Sequence, residues 1–151
     1  MQLSPAGLDL IKRSEGFRPL TYPDAAGLPT IGYGHRLTPA ECYPGGITEQ
    51  QAEVILLWDV HGTVQAVERL VQVPLTQGQF DALADFVFNL GPSRLAGSTL
   101  LQLLNAGRAD QAAAELLRWD HCGPREVPGL KARRQAEFNL WHLPQPTQAA
   151  A

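Results

Sequence analysis

The chain has 151 residues, of which 44% are hydrophobic and 18% charged, and carries a formal charge of −3. That length suits one compact domain, or a small lobe joined to a larger one, and that composition excludes wholesale disorder. The negative charge argues against a nucleic-acid partner, and no run approaches the roughly 20 apolar residues of a membrane span.

The opening Met1-Gln2-Leu3-Ser4-Pro5 lacks the basic start and apolar stretch of a secretory signal, which predicts synthesis and residence in a cytoplasm. Ser4 as N-cap, Pro5 at the first helical position, and Leu8 and Ile11 at helical spacing predict a first helix that Gly16 ends. Residues 21–35 are rich in Gly, Pro and Thr, and Tyr22, Ile31 and Tyr33 predict short strands of a small antiparallel sheet around a turn at 23–27. A capping box of Thr48 and Gln51 opens a long helix through Ile55, Leu56, Val64, Val67 and Leu70, stopped by Pro74. A second box, Thr76 with Gln79, opens a helix carrying Phe80, Leu83, Val87 and Phe88 that Gly91-Pro92 terminates. Ser98 caps the next helix, another follows from Asp110 to Trp119, Gly123-Pro124 and Pro128-Gly129 mark a loop, and a last helix runs from Leu130 to about Trp141. Residues 145–151 read as a flexible tail.

The expected organisation is α+β and predominantly helical. One domain spans 1–144, with a small β-sheet lobe over about 15–47, a connecting helix over about 48–71, and a helical lobe over about 74–144 that also takes in the first helix. Lobes so joined leave a groove of the kind in which ligands bind. Cys42 and Cys122 read as two buried free thiols. They and His35, His61, His121 and His142 show no metal-ligand spacing, so no metal is expected. Arg118, Arg125, Lys131, Arg133 and Arg134 gather near the C-terminus, either as a solvated helix face or as an aid in approaching an anionic polymer.

The chemistry concentrates in residues 14–35, where Glu15 stands at a helix end, Asp24 in a turn and Thr30 on the following strand. Cleaving a glycosidic bond needs an acid to protonate the leaving oxygen and a second group to organise the opposite face of the sugar. Glu15 suits the acid, because the negative end of a helix dipole disfavours loss of its proton and burial under Phe17 or Tyr22 acts the same way. Lys12, Arg13 and Arg18 oppose that effect if they reach it. Asp24, in a polar turn where solvation keeps it ionised, suits a base acting through a water that Thr30 helps to hold.

These residues fit a longer pattern, E-G-x-R-x-x-x-Y-x-D-x-x-G-x-x-T-I-G-x-G-H, through Glu15, Gly16, Arg18, Tyr22, Asp24, Gly27, Thr30, Ile31, Gly32, Gly34 and His35. In it the chain resembles the phage-type lysozymes, the bacteriophage endolysins of glycoside hydrolase family 24. The likeness continues through Phe86-Val87-Phe88-Asn89-Leu90-Gly91, Ser98-Thr99-Leu100-Leu101, Leu104-Asn105-Ala106-Gly107, Arg118-Trp119 and Pro128-Gly129-Leu130. It departs at Gly91-Pro92-Ser93-Arg94-Leu95 and at Cys122-Gly123.

The resemblance implies a lysozyme-like fold and an inverting muramidase that cuts peptidoglycan glycan strands without a cofactor and lyses the host cell. It implies Glu15 as acid, Asp24 as water-positioning base and Thr30 as their partner. His35, Phe88 and Ser98 match positions near the sugar groove, each with a plainer reading as a structural ion-pair partner, a core aromatic and a helix N-cap respectively. Trp58 is a further candidate for stacking on sugar, while Trp119 and Trp141 are expected in the helical core. A monomer is expected, held in the host cytoplasm until a holin-like pore or membrane damage opens the way to the wall. A lytic transglycosylase would need no Asp24-Thr30 pair, and a wall-binding module without turnover would need no intact trio.

Overall fold

In a computed structural model of the chain, residues 1–144 are described, and the tail expected over 145–151 lies outside the described residues. Two compact units are present, Ile11–Gly62 and Met1–Leu10 with the chain from Thr63 onward. The arrangement is α+β and mostly helical, as expected.

The first helix, α1 (Pro5–Glu15), begins in the larger unit and ends in the smaller one. Ser4 Oγ accepts the Gly7 N–H at 3.2 Å, the N-cap geometry expected of it. Gly16, at φ +74°, ends the helix by donating its N–H to Lys12 O at 2.9 Å. Glu15 therefore occupies the last helical position.

The smaller unit continues with β1 (Arg18–Pro23), β2 (Pro29–Gly32) and β3 (His35–Arg36), an antiparallel sheet with β2 in the centre. Strand β1 begins at Arg18, three residues earlier than the sequence pattern predicts. Its register is irregular between Arg18 and Tyr22, and most of its residues are exposed, so no apolar alternation marks it. Helix α2 (Glu49–Leu70) starts with the predicted box: Thr48 N–H donates to Gln51 Oε1 at 2.8 Å, and Gln51 N–H to Thr48 Oγ1 at 3.2 Å. Ile11, Ile31, Tyr33, Ile47, Ala52, Leu56 and Val60 are buried in this unit. At Gly32 the sheet comes so close to α2 that a Cβ would stand 3.2 Å from the Ala52 Cβ.

The larger unit holds α3 (Gln77–Leu90), α4 (Pro92–Ala96), α5 (Thr99–Asn105), α6 (Ala109–Leu116), the hairpin β4 (His121–Cys122) and β5 (Arg125–Glu126), and α7 (Pro128–Trp141). Its core packs Val67, Phe80, Leu83, Phe86, Leu95, Leu100, Leu104, Leu116 and Trp141. Trp119 sets its ring edge-on against Phe86, with centroids 5.4 Å apart, as its expected place in the core requires.

Four expectations need correction. Gly91-Pro92 ends α3 but also opens α4, because Gly91 at φ +90° turns the chain and Pro92 fits a first helical position. Likewise Pro128-Gly129 is the start of α7, two residues ahead of Leu130, and not loop. Cys42 and Cys122 are exposed, one in a loop and one on the hairpin. Arg133 and Arg134 do not belong to a solvated face: both are buried. Arg133 grips the Asp85 carboxylate with Nε at 2.9 Å and Nη2 at 2.8 Å, while Arg134 Nη2 donates to Asn89 Oδ1 at 3.0 Å and to Glu137 Oε1. Burial pushes the Glu137 carboxyl well above the usual range; Arg134 opposes this, and the neighbouring Asp85 adds to it.

Candidate active site

Glu15, Asp24 and Thr30 all fall in the smaller unit. Glu15 is half-buried at the end of α1, and its Oε2 lies beside Gly34, where an added Cβ would stand only 3.0 Å away. Gly34 has φ +77°, so a residue without a side chain lets the β2–β3 turn pass against the carboxyl group. Of the cations near Glu15 in sequence, Lys12 pairs with Glu53 and Arg18 lies 4.5 Å from the centroid of the Tyr22 ring. Phe17 packs against Tyr33, with centroids 5.7 Å apart.

Asp24 begins the turn between β1 and β2, where Gly27 N–H donates to Asp24 O at 2.8 Å. Asp24 Oδ1 accepts the N–H groups of Ala26 and Leu28, each at 2.9 Å, and Oδ2 accepts Arg36 Nε at 2.9 Å. These bonds hold its carboxyl below the ordinary range, the Leu28 amide contributing most and those from Ala26 and Arg36 adding to it against partial desolvation. Asp24 is thus kept ionised by donors built into its turn and the neighbouring strand, where sequence reasoning credited solvation.

Thr30 is 2% exposed and its hydroxyl donates to Leu28 O at 2.9 Å. The same carbonyl accepts the Asp24 N–H at 2.9 Å. The Leu28 backbone therefore ties Asp24 and Thr30 together: its N–H donates to the carboxylate and its C=O accepts the hydrogen bond of the hydroxyl. With that proton committed, Thr30 Oγ1 keeps its lone pairs to accept from a third group.

His35 joins β3 to its surroundings. Its Nδ1 stands 2.9 Å from Asp59 Oδ2 on α2, and its Nε2 stands 2.8 Å from Glu41 Oε2. Both ring nitrogens face carboxylates, an arrangement that suits the imidazolium, which has two donors. Burial alone lowers its pKa, yet the hydrogen bonds and charges of Glu41 and Asp59 overcome this and raise it. Glu41 is held down at about 2, chiefly by the Thr38 amide and then by His35, while burial pushes Asp59 up against the pull of His35.

These shifts define a pH window. The contribution from Glu41 is present above its unfolded value and lost as pH falls toward its folded one. That from His35 is complete below about 6.5, its unfolded value, and is lost as pH rises through the higher folded value. The contribution of the Glu41 and His35 pair to stability is therefore expected to be greatest near about pH 5 to 6 and to decline on the alkaline side. His35→Gln should flatten that alkaline decline in a series of Tm measurements; parallel declines in both proteins would contradict the assignment.

The remaining candidates belong to the larger unit or to α2. Phe88 is half-buried near the end of α3. Ser98 is 2% exposed, accepts the Leu101 N–H at 3.0 Å and donates to Leu95 O at 2.7 Å, so its hydroxyl caps α5. Trp58 is 77% exposed on α2, whereas Trp141 is buried. No cluster of three or more His, Cys, Asp or Glu able to hold a metal occurs among the described residues. No helix among them is long and apolar enough to cross a membrane.

Sequence reasoning missed Arg36, Glu41 and Asp59. Glu41 and Asp59 carry no local motif. The only signal for Arg36 is its place after His35 on a strand, and its bond to Asp24 depends on the register that sets it opposite Thr30.

A family model described as phage lysozyme matches residues 12–137. The endolysin of Acyrthosiphon pisum secondary endosymbiont phage 1 is 43% identical over 93% of this chain and 98% of its own length. The endolysin of Bacillus phage B103 is 42% identical over 93% of this chain, which spans only 54% of that relative's length. Among solved structures, the muramidase domain of SpmX from Asticaccaulis excentricus superposes with a TM-score of 0.86 at 35% identity, covering 95% of this chain and 99% of the other.

Proposed function

Because the chain belongs to the phage lysozyme family, we propose that it is a muramidase that hydrolyses the β-1,4 bond between N-acetylmuramic acid and N-acetylglucosamine in bacterial peptidoglycan. The observation that carries the reading is the pairing of an ionised, fully oriented Asp24 with a Thr30 hydroxyl left as an acceptor, both fixed by the Leu28 backbone. A solved relative named as a muramidase domain supports the choice of bond.

On this reading Glu15 gives its proton to the glycosidic oxygen as the bond to the anomeric carbon breaks. A water donates one hydrogen bond to Asp24 and the other to Thr30 Oγ1, which turns its lone pair toward that carbon. As the new C–O bond forms, Asp24 takes the water's proton and the departing sugar keeps the one from Glu15. Attack from the face opposite the leaving group inverts the configuration, and it requires a separation of roughly 6.5 to 9.5 Å between the two carboxyl groups so that the water fits. His35 is proposed to serve as a tie between β3 and α2 without touching sugar. The biological outcome proposed is lysis of the host cell.

Digestion of purified peptidoglycan tests this directly. New reducing N-acetylmuramic acid ends are expected; 1,6-anhydromuramic ends, detected by mass spectrometry, would instead establish a lytic transglycosylase that works without a water.

A further inference from the structure

An ionised carboxylate has about four lone-pair positions, two on each oxygen. On Asp24 the two at Oδ1 are filled by the Ala26 and Leu28 amides, and one at Oδ2 by Arg36 Nε. Among the described residues a single position is left without a donor, and it belongs to Oδ2. We propose that Arg36 is a positioning residue for Asp24, fixing Oδ2 so that this one open lone pair receives the attacking water. The inference rests on the reading of Asp24 as the base.

The sheet explains how the arginine gets there. Arg36 stands directly opposite Thr30 across the β2–β3 pair, and directly opposed residues share a face of the sheet. The other side of β2 pairs Thr30 with Tyr22 and Pro29 with Pro23, which sets the start of the turn carrying Asp24 one residue beyond the sheet. Arg36 thus reaches Asp24 from the face on which Thr30 lies. Its contact uses Nε, the donor nearest the stem, and the side chain is 64% exposed, so a flexible surface cation has been recruited into a directed bond. Lysine at this position has the charge but no donor part-way along its chain.

Without Arg36, Oδ1 stays anchored by the turn while Oδ2 gains a second open position, and a water bound there loses its unique direction. The expected result for Arg36→Ala is a fall in kcat of about 10-fold with KM changed less than about two-fold, since misplacement of a reacting group acts on turnover more than on binding. The acid limb of the pH profile should move to higher pH, because one of the influences that hold the Asp24 carboxyl down is gone, while the turn amides keep most of the effect. Arg36→Lys should return the acid limb toward its original position and restore kcat only in part.

The experiment is a pH profile of kcat and KM for the unaltered protein, Arg36→Ala, Arg36→Lys and Asp24→Ala on soluble peptidoglycan fragments, with Tm measured for each. Loss of about 100-fold or more in Asp24→Ala, with the Arg36 variants behaving as described, supports the proposal. If Asp24→Ala is inactive but Arg36→Ala keeps its kcat and acid limb, or turns over faster, the positioning role is overturned and the base stands. If Asp24→Ala keeps its activity, the reading of Asp24 fails and the role of Arg36 fails with it.

Discussion

Glu15→Gln is expected to abolish the clearing of permeabilised cells while binding to isolated walls survives. Glutamine fills the same volume at the end of α1, beside Gly34. What it lacks is a proton to give to the leaving oxygen. General acid catalysis contributes about 10² to 10⁴ in rate, so the loss falls in that range or beyond if the leaving sugar departs only when protonated. Turbidity measured beside a wall-pelleting assay separates turnover from binding, and undiminished lysis by the variant would reject Glu15 as the acid.

The second large effect concerns stability. Asp85 is wholly buried on α3 and takes two charge-assisted bonds from Arg133, with Glu137 among its neighbours. Arg133→Met removes both donors and strands a buried carboxylate next to another acid. Breaking one side of such a pair costs about 3 to 5 kcal/mol, whereas replacing both sides with apolar groups is close to neutral. At about 2 to 4 °C per kcal/mol for a chain of this size, Tm should fall by roughly 6 to 20 °C. Adding Asp85→Leu to the same protein should recover most of the loss, and a double variant no more stable than Arg133→Met alone would show that the pair is not the cause.

That buried pair also shows where a sequence is opaque. Signals closed within a few residues were readable: the capping boxes at Thr48 and Thr76 form as spaced, and Gly16 ends α1 so that Glu15 is its last residue. Both depend only on neighbouring donors and acceptors. Arg133, by contrast, finds its partner 48 residues away, and along the chain it is indistinguishable from a solvated cation of the same helix. The Arg36–Asp24 bond is hidden for a similar reason, since it follows from strand register and not from spacing. Pro92 and Pro128 were ambiguous in another way. Proline after a helix and proline at the first position of the next look alike until the backbone on either side is known. The placement of Glu15, Asp24 and Thr30 at a helix end, in a turn and on a strand was legible because all three lie within one short stretch of chain.

The most direct test of the account is the configuration of the product at the instant of cleavage. When a soluble peptidoglycan oligosaccharide is digested and followed by proton NMR before mutarotation sets in, a water delivered by Asp24 opposite Glu15 predicts that the α-anomer of N-acetylmuramic acid appears first. Initial release of the β-anomer would mean a double displacement through a covalent intermediate and would contradict the roles given to Asp24 and Thr30.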